Sequence, residues 1–328
     1  MRLGFYMGYA TPGTNPRELV ELAREAERLA FDSAWAAEAW GTDCVTVLAW
    51  LAATTERIKV GSAVIQIPAR SPAMTAMTLD LMSGGRFLLG LGTSGPQVAE
   101  GWHGDTWRKP LSRTREYVEI VRAVLRREPL AFEGEHYRLG HPKPLKLMAR
   151  PFRAEIPIYL ASISPRSAEL AAEIADGWIP LFFIPEKAPS IFPAPFARER
   201  FDIAACVQVA LVDDVQAGRD ALKPYFALYI GGMGSRGSNF YNDLFRRYGY
   251  EREADEIQSL YLEGRPRDAA ALVPDAFVDE AALVGPKERI ADRVEAFRAA
   301  GVTTLICAGN PRRSGRSPTR ERGRAPGA

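Results

Sequence analysis

Chemistry-bearing side chains gather after two apolar runs of this 328-residue chain. Glu38 follows the run Ser33 to Ala37. A carboxylate there can hydrogen-bond a flat ring or a substrate, or act as a general acid with a raised pKa; an ion pair with a neighbouring arginine or a helix cap explains it equally well. The second run, Arg86 to Leu91, ends in Gly90-Leu91-Gly92-Thr93-Ser94-Gly95. Its small residues let backbone N–H groups approach an anion or a flat ring, and Thr93 and Ser94 add hydroxyls. His103, one of three histidines, stands beside Glu100 and Trp102. It reads as a proton donor near neutral pH or as a surface histidine bonded to a loop. Tyr9 and Glu100 complete the set of candidate proton donors.

Other chemistries are disfavoured. Residues 90–95 spell G-x-G-x-x-G, yet Pro96 follows the last glycine and three strand-like runs precede it. About 20 residues on, where a dinucleotide fold needs a strand ending in an acid, Arg113 to Arg127 reads as a helix. His136 and His141 have no metal-ligand spacing, and His and Cys are sparse, so no catalytic metal is expected. Cys44, Cys206 and Cys307 offer no disulfide framework, and Met1 to Gly13 lacks the form of a signal peptide. No run of 18 apolar residues suggests a membrane span. A cytoplasmic protein is expected. The net charge of +2 argues against nucleic acid as a partner, although six arginines crowd into 312–324 and read as a solvated tail over 311–328.

The elements that must position these groups alternate. Strands are expected at Leu3 to Gly8, Ser33 to Ala37, Ile58 to Ile67 and 86–91. Helices start at Asn15-Pro16, Asp43 and Ser71-Pro72, where a capping side chain precedes the first turn, and another runs from Ser112 to Arg127. Leu19, Leu22, Ala23, Ala26 and Leu29 give the first helix one apolar stripe. After an irregular stretch at 129–155, strands follow at Ile156 to Ala161, Gly177 to Leu181, Ile203 to Val212 and Thr303 to Ala308, with helices at Pro165 to Ala175 and Pro286 to Ala300. Eight strand–helix units predict one closed (β/α)8 TIM barrel over 1–310. Insertions near 182–200 and 223–282 are expected to cover or shape the active-site mouth.

The motif set resembles a known family. Gly61-Ser62-Ala63-Val64-Ile65-Gln66-Ile67-Pro68-Ala69-Arg70-Ser71-Pro72-Ala73-Met74-Thr75-Ala76, then Leu79-Asp80, Ser83-Gly84-Gly85-Arg86 and the glycine loop, are similar to the luciferase-like monooxygenase superfamily, in its coenzyme F420-dependent oxidoreductase branch. Ala37-Glu38-Ala39-Trp40-Gly41, Ile158-Tyr159-Leu160-Ala161, Ala175-Asp176-Gly177-Trp178 and Leu283-Val284-Gly285-Pro286 extend the match in order along the chain.

The resemblance implies a barrel holding a deazaflavin at the carboxyl ends of its strands. A non-proline cis peptide at Ala63–Val64 would back the ring. Thr93, Ser94 and Gly95 would take the ribityl chain or phosphate, and Gln66 would touch the ring edge or face outward. Ala161, Ser162, Gly177 and Trp178 would lie near the cofactor, with Trp40 and Trp102 as cavity walls or plain packing. Ser164-Pro165 would receive a phosphate or merely cap a helix, and Arg312 or Arg313 would reach that phosphate.

Coenzyme F420 carries carbon where a flavin has N5, so it passes hydride in two-electron steps and scarcely reacts with oxygen; the protein supplies placement and a proton. The implied activity is hydride transfer from reduced F420 to a C=C or C=N bond of a small molecule or a modified peptide. FMN in an oxygen-using monooxygenase, or a catalytically silent ligand binder, are the alternatives. The family's sugar-phosphate dehydrogenases use a histidine and a glutamate where this chain has Ala39 and Gly95. Barrels of this family often pair as homodimers; no stripe in the sequence identifies the interface.

Overall fold

Strands buried on both faces read as unbroken apolar runs, and helices between them read as one-sided stripes. A computed structural model of the chain, describing residues 1–9 and 15–309, follows that logic. The 310–328 segment, with Arg312 and Arg313, lies outside the described residues.

The first half alternates β1 (Arg2–Gly8), α1 (Pro16–Arg28), β2 (Ser33–Ala36), α2 (Cys44–Thr54), β3 (Lys59–Ser62), β4 (Ile65–Gln66), α3 (Pro72–Met82) and β5 (Phe87–Gly92). A short α4 (Pro96–Ala99) and a long α5 (Pro110–Leu125) follow. A two-strand hairpin, β6 (Phe132–Glu133) and β7 (Arg138–Leu139), interrupts the alternation. It resumes with β8 (Ile158–Ala161), α6 (Pro165–Ile174) and β9 (Gly177–Ile179), then α7 (Ala188–Ile191) and α8 (Pro193–Ala197). β10 (Asp202–Leu211) leads into α9 (Val215–Ala227), α10 (Phe240–Arg247), α11 (Glu251–Leu262), α12 (Pro266–Ala271) and α13 (Asp275–Ala281). The described chain ends with β11 (Ala282–Gly285), α14 (Lys287–Ala299) and β12 (Thr304–Ala308).

Parallel pairing runs β1–β2–β3–β5–β8–β9–β10–β12 and returns to β1, so eight strands close a barrel. All six residues of β5 are buried, as a strand enclosed on both faces requires. Trp35 and Tyr159 meet edge-to-face at 5.5 Å in the barrel interior. A Cβ on Gly61 would lie 2.4 Å from the Trp35 ring, so glycine is needed there for the indole to fill the barrel. Burying a ring of that size contributes about 3 kcal/mol.

Local signals explain most boundaries. Asn15 and Asp43 cap α1 and α2 by accepting from Arg17 N and Thr46 N. Ser71 makes no such bond, although Pro72 still opens α3. The α1 stripe ends at Ala26; Leu29, at the C-cap, is exposed.

Three features depart from the sequence expectation. The third strand is not continuous over 58–67: it breaks at the Ala63–Val64 peptide, cis as the resemblance implied, and ends in a 3-10 turn at Ile67–Ala69. β11 is an unexpected ninth parallel strand on β10, pairing Gln208 with Ala282 through Leu211 with Gly285. The 182–200 segment does not roof the mouth: Phe183, Phe192 and Phe196 wrap Trp178 on the outer face of the barrel wall.

Candidate active site

A cavity of about 390 Å3 opens at the carboxyl ends of the strands, within the usual range for small-molecule sites. Residues on or after β2, β4, β5, β8 and β10 reach it, so no single segment makes the site.

The cis Ala63–Val64 bulge and Gln66 form one side. Gly92 meets Val64 so closely that a Cβ there would lie 2.5 Å from the valine side chain. Ser94 then takes a left-handed backbone (φ 64°) and the strand stops. Thr93, Ser94 and Gly95 all face the cavity, as do Ala39 and Gly95 at the positions of the missing histidine and glutamate.

Glu38 lines the cavity while remaining buried. Its carboxylate accepts from Cys44 N at 3.2 Å and Gln66 N at 3.0 Å, and pairs with Arg70 at 3.1 Å. The carboxylate thereby takes the first N–H of α2, whose N-cap is Asp43, pairs with an arginine, and ties β2 to β4. Of the two readings of His103, the structure shows the hydrogen-bonded histidine. It does not line the cavity but sits behind Gln66, its Nε2 at 2.8 Å from Gln66 Oε1. The contact fixes Gln66, which also donates to Glu38 O at 3.4 Å.

Gly177 and Trp178 lie apart from the cavity. Alternate residues of a strand face opposite sides. Ile179 therefore joins Tyr159 inside the barrel, while Trp178 points outward into the aromatic cluster; neither Gly177 nor Trp178 lines the cavity. Trp178 acts at one remove: its indole N–H donates to Ser162 O at 2.8 Å. Ala161 and Ser162 do line the cavity, and the buried Ser162 hydroxyl has no hydrogen-bond partner among the described residues. Beyond it, Ser164 closes a reciprocal capping box with Ser167, its hydroxyl bonded to Ser167 N and Ser167 Oγ. The next side chain, Arg166, is exposed, lines the cavity, and has no ion-pair or hydrogen-bond partner among the described residues.

The mouth is aromatic. Trp40 and Trp107 line it, whereas Trp102 is 62% exposed and does not. Trp107 packs 6.3 Å from Phe240, and Gln97 Nε2 donates to Met233 O at 2.6 Å. The loop after β5 is thereby clipped to the segment after β10. That segment supplies Tyr225, Tyr229 and Tyr241, which sequence reasoning missed. The spacing of Tyr225 and Tyr229, one helical turn apart, was the available signal.

Nucleophilic and metal chemistry find little here. Burial pushes the Cys206 thiol up to about 12, and burial with the neighbouring Glu38 pushes Cys44 up further, so neither forms a thiolate near neutrality. Among the described residues no cluster of three metal-ligating side chains occurs. His136 bonds Ser112 Oγ at 2.7 Å, and His141 is exposed. No helix among the described residues is long and apolar enough to cross a membrane.

Comparison with known proteins agrees with this architecture. The family model for luciferase-like monooxygenases matches residues 3–304. The chain is 45% identical over 330 residues to a Mycobacterium tuberculosis protein provisionally named a coenzyme F420-dependent oxidoreductase, covering 93% of this chain and 94% of that one. It is 29% identical over 311 residues to the 5,10-methylenetetrahydromethanopterin reductase of Archaeoglobus fulgidus, covering 90% of each. The structure of the coenzyme F420-dependent tetrahydromethanopterin reductase of Methanopyrus kandleri superposes with a TM-score of 0.79 at 23% identity, covering 94% and 93% of the two chains. With a family match across nearly its whole described length, the chain belongs to the luciferase-like monooxygenase family.

Proposed function

We propose that the protein is an oxidoreductase that uses reduced coenzyme F420 to reduce an activated C=C or C=N bond of an organic molecule. The observation that carries this reading is Ser162: a buried, unpartnered hydroxyl facing a cavity lined by the Thr93-Ser94-Gly95 loop and by Arg166. A buried hydroxyl left without a protein partner costs roughly 1–3 kcal/mol, which a polar ligand offsets. The deazaflavin itself is suggested by the relatives, not by any one side chain.

The residues present fit such a group. The Ala63–Val64 bulge would back the ring, Gln66 would meet its edge, and Ser162 and the Thr93–Gly95 loop would hold the ribityl chain. Arg166, in the first turn of α6, would meet the phosphate together with backbone N–H groups. When bound, the reduced deazaflavin supplies hydride in two-electron steps. Glu38, held by three partners, fixes Gln66 and stays a positioning residue.

Titration with coenzyme F420 and separately with FMN, followed by fluorescence or calorimetry, tests the assignment. Micromolar or tighter F420 binding with FMN at least about tenfold weaker is expected. The reverse preference moves the protein to the oxygen-using branch; binding of neither overturns the cofactor.

Ser162→Ala sharpens the point. The variant should weaken F420 binding about three- to tenfold, one lost hydrogen bond, while its unfolding midpoint stays level or rises because an orphaned hydroxyl leaves the interior. An unchanged F420 dissociation constant would place the hydroxyl outside the site.

A further inference from the structure

The cavity is chemically two-sided. Hydroxyls, glycines and Arg166 come from the loops after β5 and β8. Across the barrel ring, β1 and its end, with the segment after β10, contribute a tyrosine wall: Tyr6, Tyr9, Tyr225, Tyr229 and Tyr241. No Asp, Glu, Lys or Arg from those elements lines the cavity among the described residues, and phenols are uncharged near neutrality. Ring centroids of Tyr229 and Tyr225 lie 4.8 Å apart at a tilt of 46°, and those of Tyr229 and Tyr241 4.8 Å apart at 84°. Such a surface offers ring faces and edges to a flat molecule and no counter-charge to an ion.

The wall is held by a dedicated support. At its end α9 widens into a π turn, Leu228–Gly232, a feature that recurs at functional sites. Tyr229 sits on this turn. The buried Asn239 amide donates to Tyr229 O and to Ile230 O, each at 3.0 Å. Its oxygen accepts from Tyr241 N at 3.0 Å and Asn242 N at 3.2 Å, capping α10. Both donors and both lone pairs are thereby used. One side chain ties the backbone of Tyr229 to that of Tyr241, whose rings meet edge-on in the cavity. Asn242, also buried, adds a bond to Ile230 O at 3.1 Å.

Phe182 supports the same rings without lining the cavity. It is buried and has φ 55°, a left-handed backbone that a bulky residue keeps only where its surroundings hold it. Those surroundings include Tyr225, Tyr229 and Tyr241, at 6.2, 5.7 and 5.9 Å.

We infer that the tyrosine wall binds the substrate, that the substrate enters as a neutral flat molecule, and that Asn239 is the positioning residue that sets the wall's shape. The inference rests on the reading above, in which the opposite half holds the deazaflavin. A carboxylate or phosphate moved from water onto this side meets no partner, whereas a flat ring gains edge and face contacts that a puckered ring of equal size does not.

Calorimetry on the full chain saturated with oxidised F420 tests this with three probes of similar size. Naphthalene-2-carboxamide is neutral and flat, naphthalene-2-carboxylate flat and charged, and decahydronaphthalene-2-carboxamide neutral and puckered. The flat amide should bind at least about tenfold more tightly than the carboxylate and about threefold more tightly than the puckered amide. Equal binding, a preference for either control, no binding of the flat amide, or its expulsion by F420 overturns the proposal.

Asn239→Ser keeps an oxygen to cap α10 but is too short to reach the two carbonyls. It should weaken the flat amide about tenfold and leave F420 affinity unchanged. Loss of both affinities, loss of neither, or failure to fold makes Asn239 merely structural and overturns its positioning role. Tyr229→Leu, which removes one ring and leaves the Asn239 bonds to backbone in place, should erase the margin of the flat over the puckered amide; a margin that survives refutes the wall. F420 binding with no preference among the probes refutes the wall alone. If F420 does not bind, the cofactor reading beneath it falls, and the same probes on the unloaded chain judge the wall by itself.

Discussion

Replacing Arg153 with alanine should lower stability by about 3 kcal/mol, although Arg153 lies far from the cavity mouth in the fold. Asp80 is completely buried, and the Arg153 guanidinium bonds both of its oxygens as well as Phe87 O. Removing the arginine leaves a buried carboxylate with no counter-charge, which typically costs 3–5 kcal/mol. Arg153 itself is 30% exposed, so the low end of that range applies. Urea unfolding checks it: the midpoint should fall with the slope unchanged. The double variant Asp80→Leu with Arg153→Ala should recover part of the loss, because removing both partners leaves nothing unpaired. A loss under 1 kcal/mol for Arg153→Ala would show that the pair is not structural.

Gly90→Ala should be more damaging still. An ideal Cβ on Gly90 would lie 1.8 Å from Ser62 O, a backbone atom with no side chain to swing away. Here β3 and β5 are joined through the Ser62 hydroxyl, which donates to Gly90 O at 2.8 Å and accepts from Gly90 N at 2.9 Å. Seating the methyl group requires the two strands to part just below the Ala63–Val64 bulge. A cost of roughly 4 kcal/mol or more is expected, above the usual range for overpacking because the barrel ring must open. The readout is circular dichroism on heating, with a midpoint drop on the order of 10 °C or loss of soluble protein. Ser62→Ala, which strands the buried Gly90 N–H without moving backbone, should cost about 1–3 kcal/mol. A Gly90→Ala protein as stable as wild type would contradict the close approach.

The alternation of apolar runs and capped helices was enough to read a barrel, because burial on both faces leaves a strong one-dimensional pattern. Cavity residues on the strand ends were legible for the same reason: Glu38, Ala63, Val64, Gln66, Thr93, Ser94, Gly95, Ala161 and Ser162 all reach the cavity. The failures have physical causes. Trp178 misleads because a one-residue phase on a strand reverses its face, and Gly177-Trp178 contains no cue to that phase. His103 left two readings open because proximity in sequence to a loop says nothing of which side chain stands in front, and Gln66 does. The Leu79-Asp80 and Ser83–Arg86 matches carry the resemblance in sequence yet serve the amino ends of the strands. There Arg86 holds the carbonyls of Ala52, Thr55, Ile58 and Ser83. The tyrosine wall was not visible because Tyr6 and Tyr241 are brought together only by barrel closure across more than two hundred residues.

Most of the tyrosine wall arrives on one uninterrupted length of chain, entered after β10 and left at β11. The opposite wall is spread over β4, the loop after β5, and β8. One half of the chamber can therefore be exchanged as a single cassette while the other is locked into the barrel by many separate attachments. Variation concentrated between Leu211 and Ala282 would retune which molecule the chamber accepts, and a recombination event or an engineered graft there would leave the half built from β4, β5 and β8 in place.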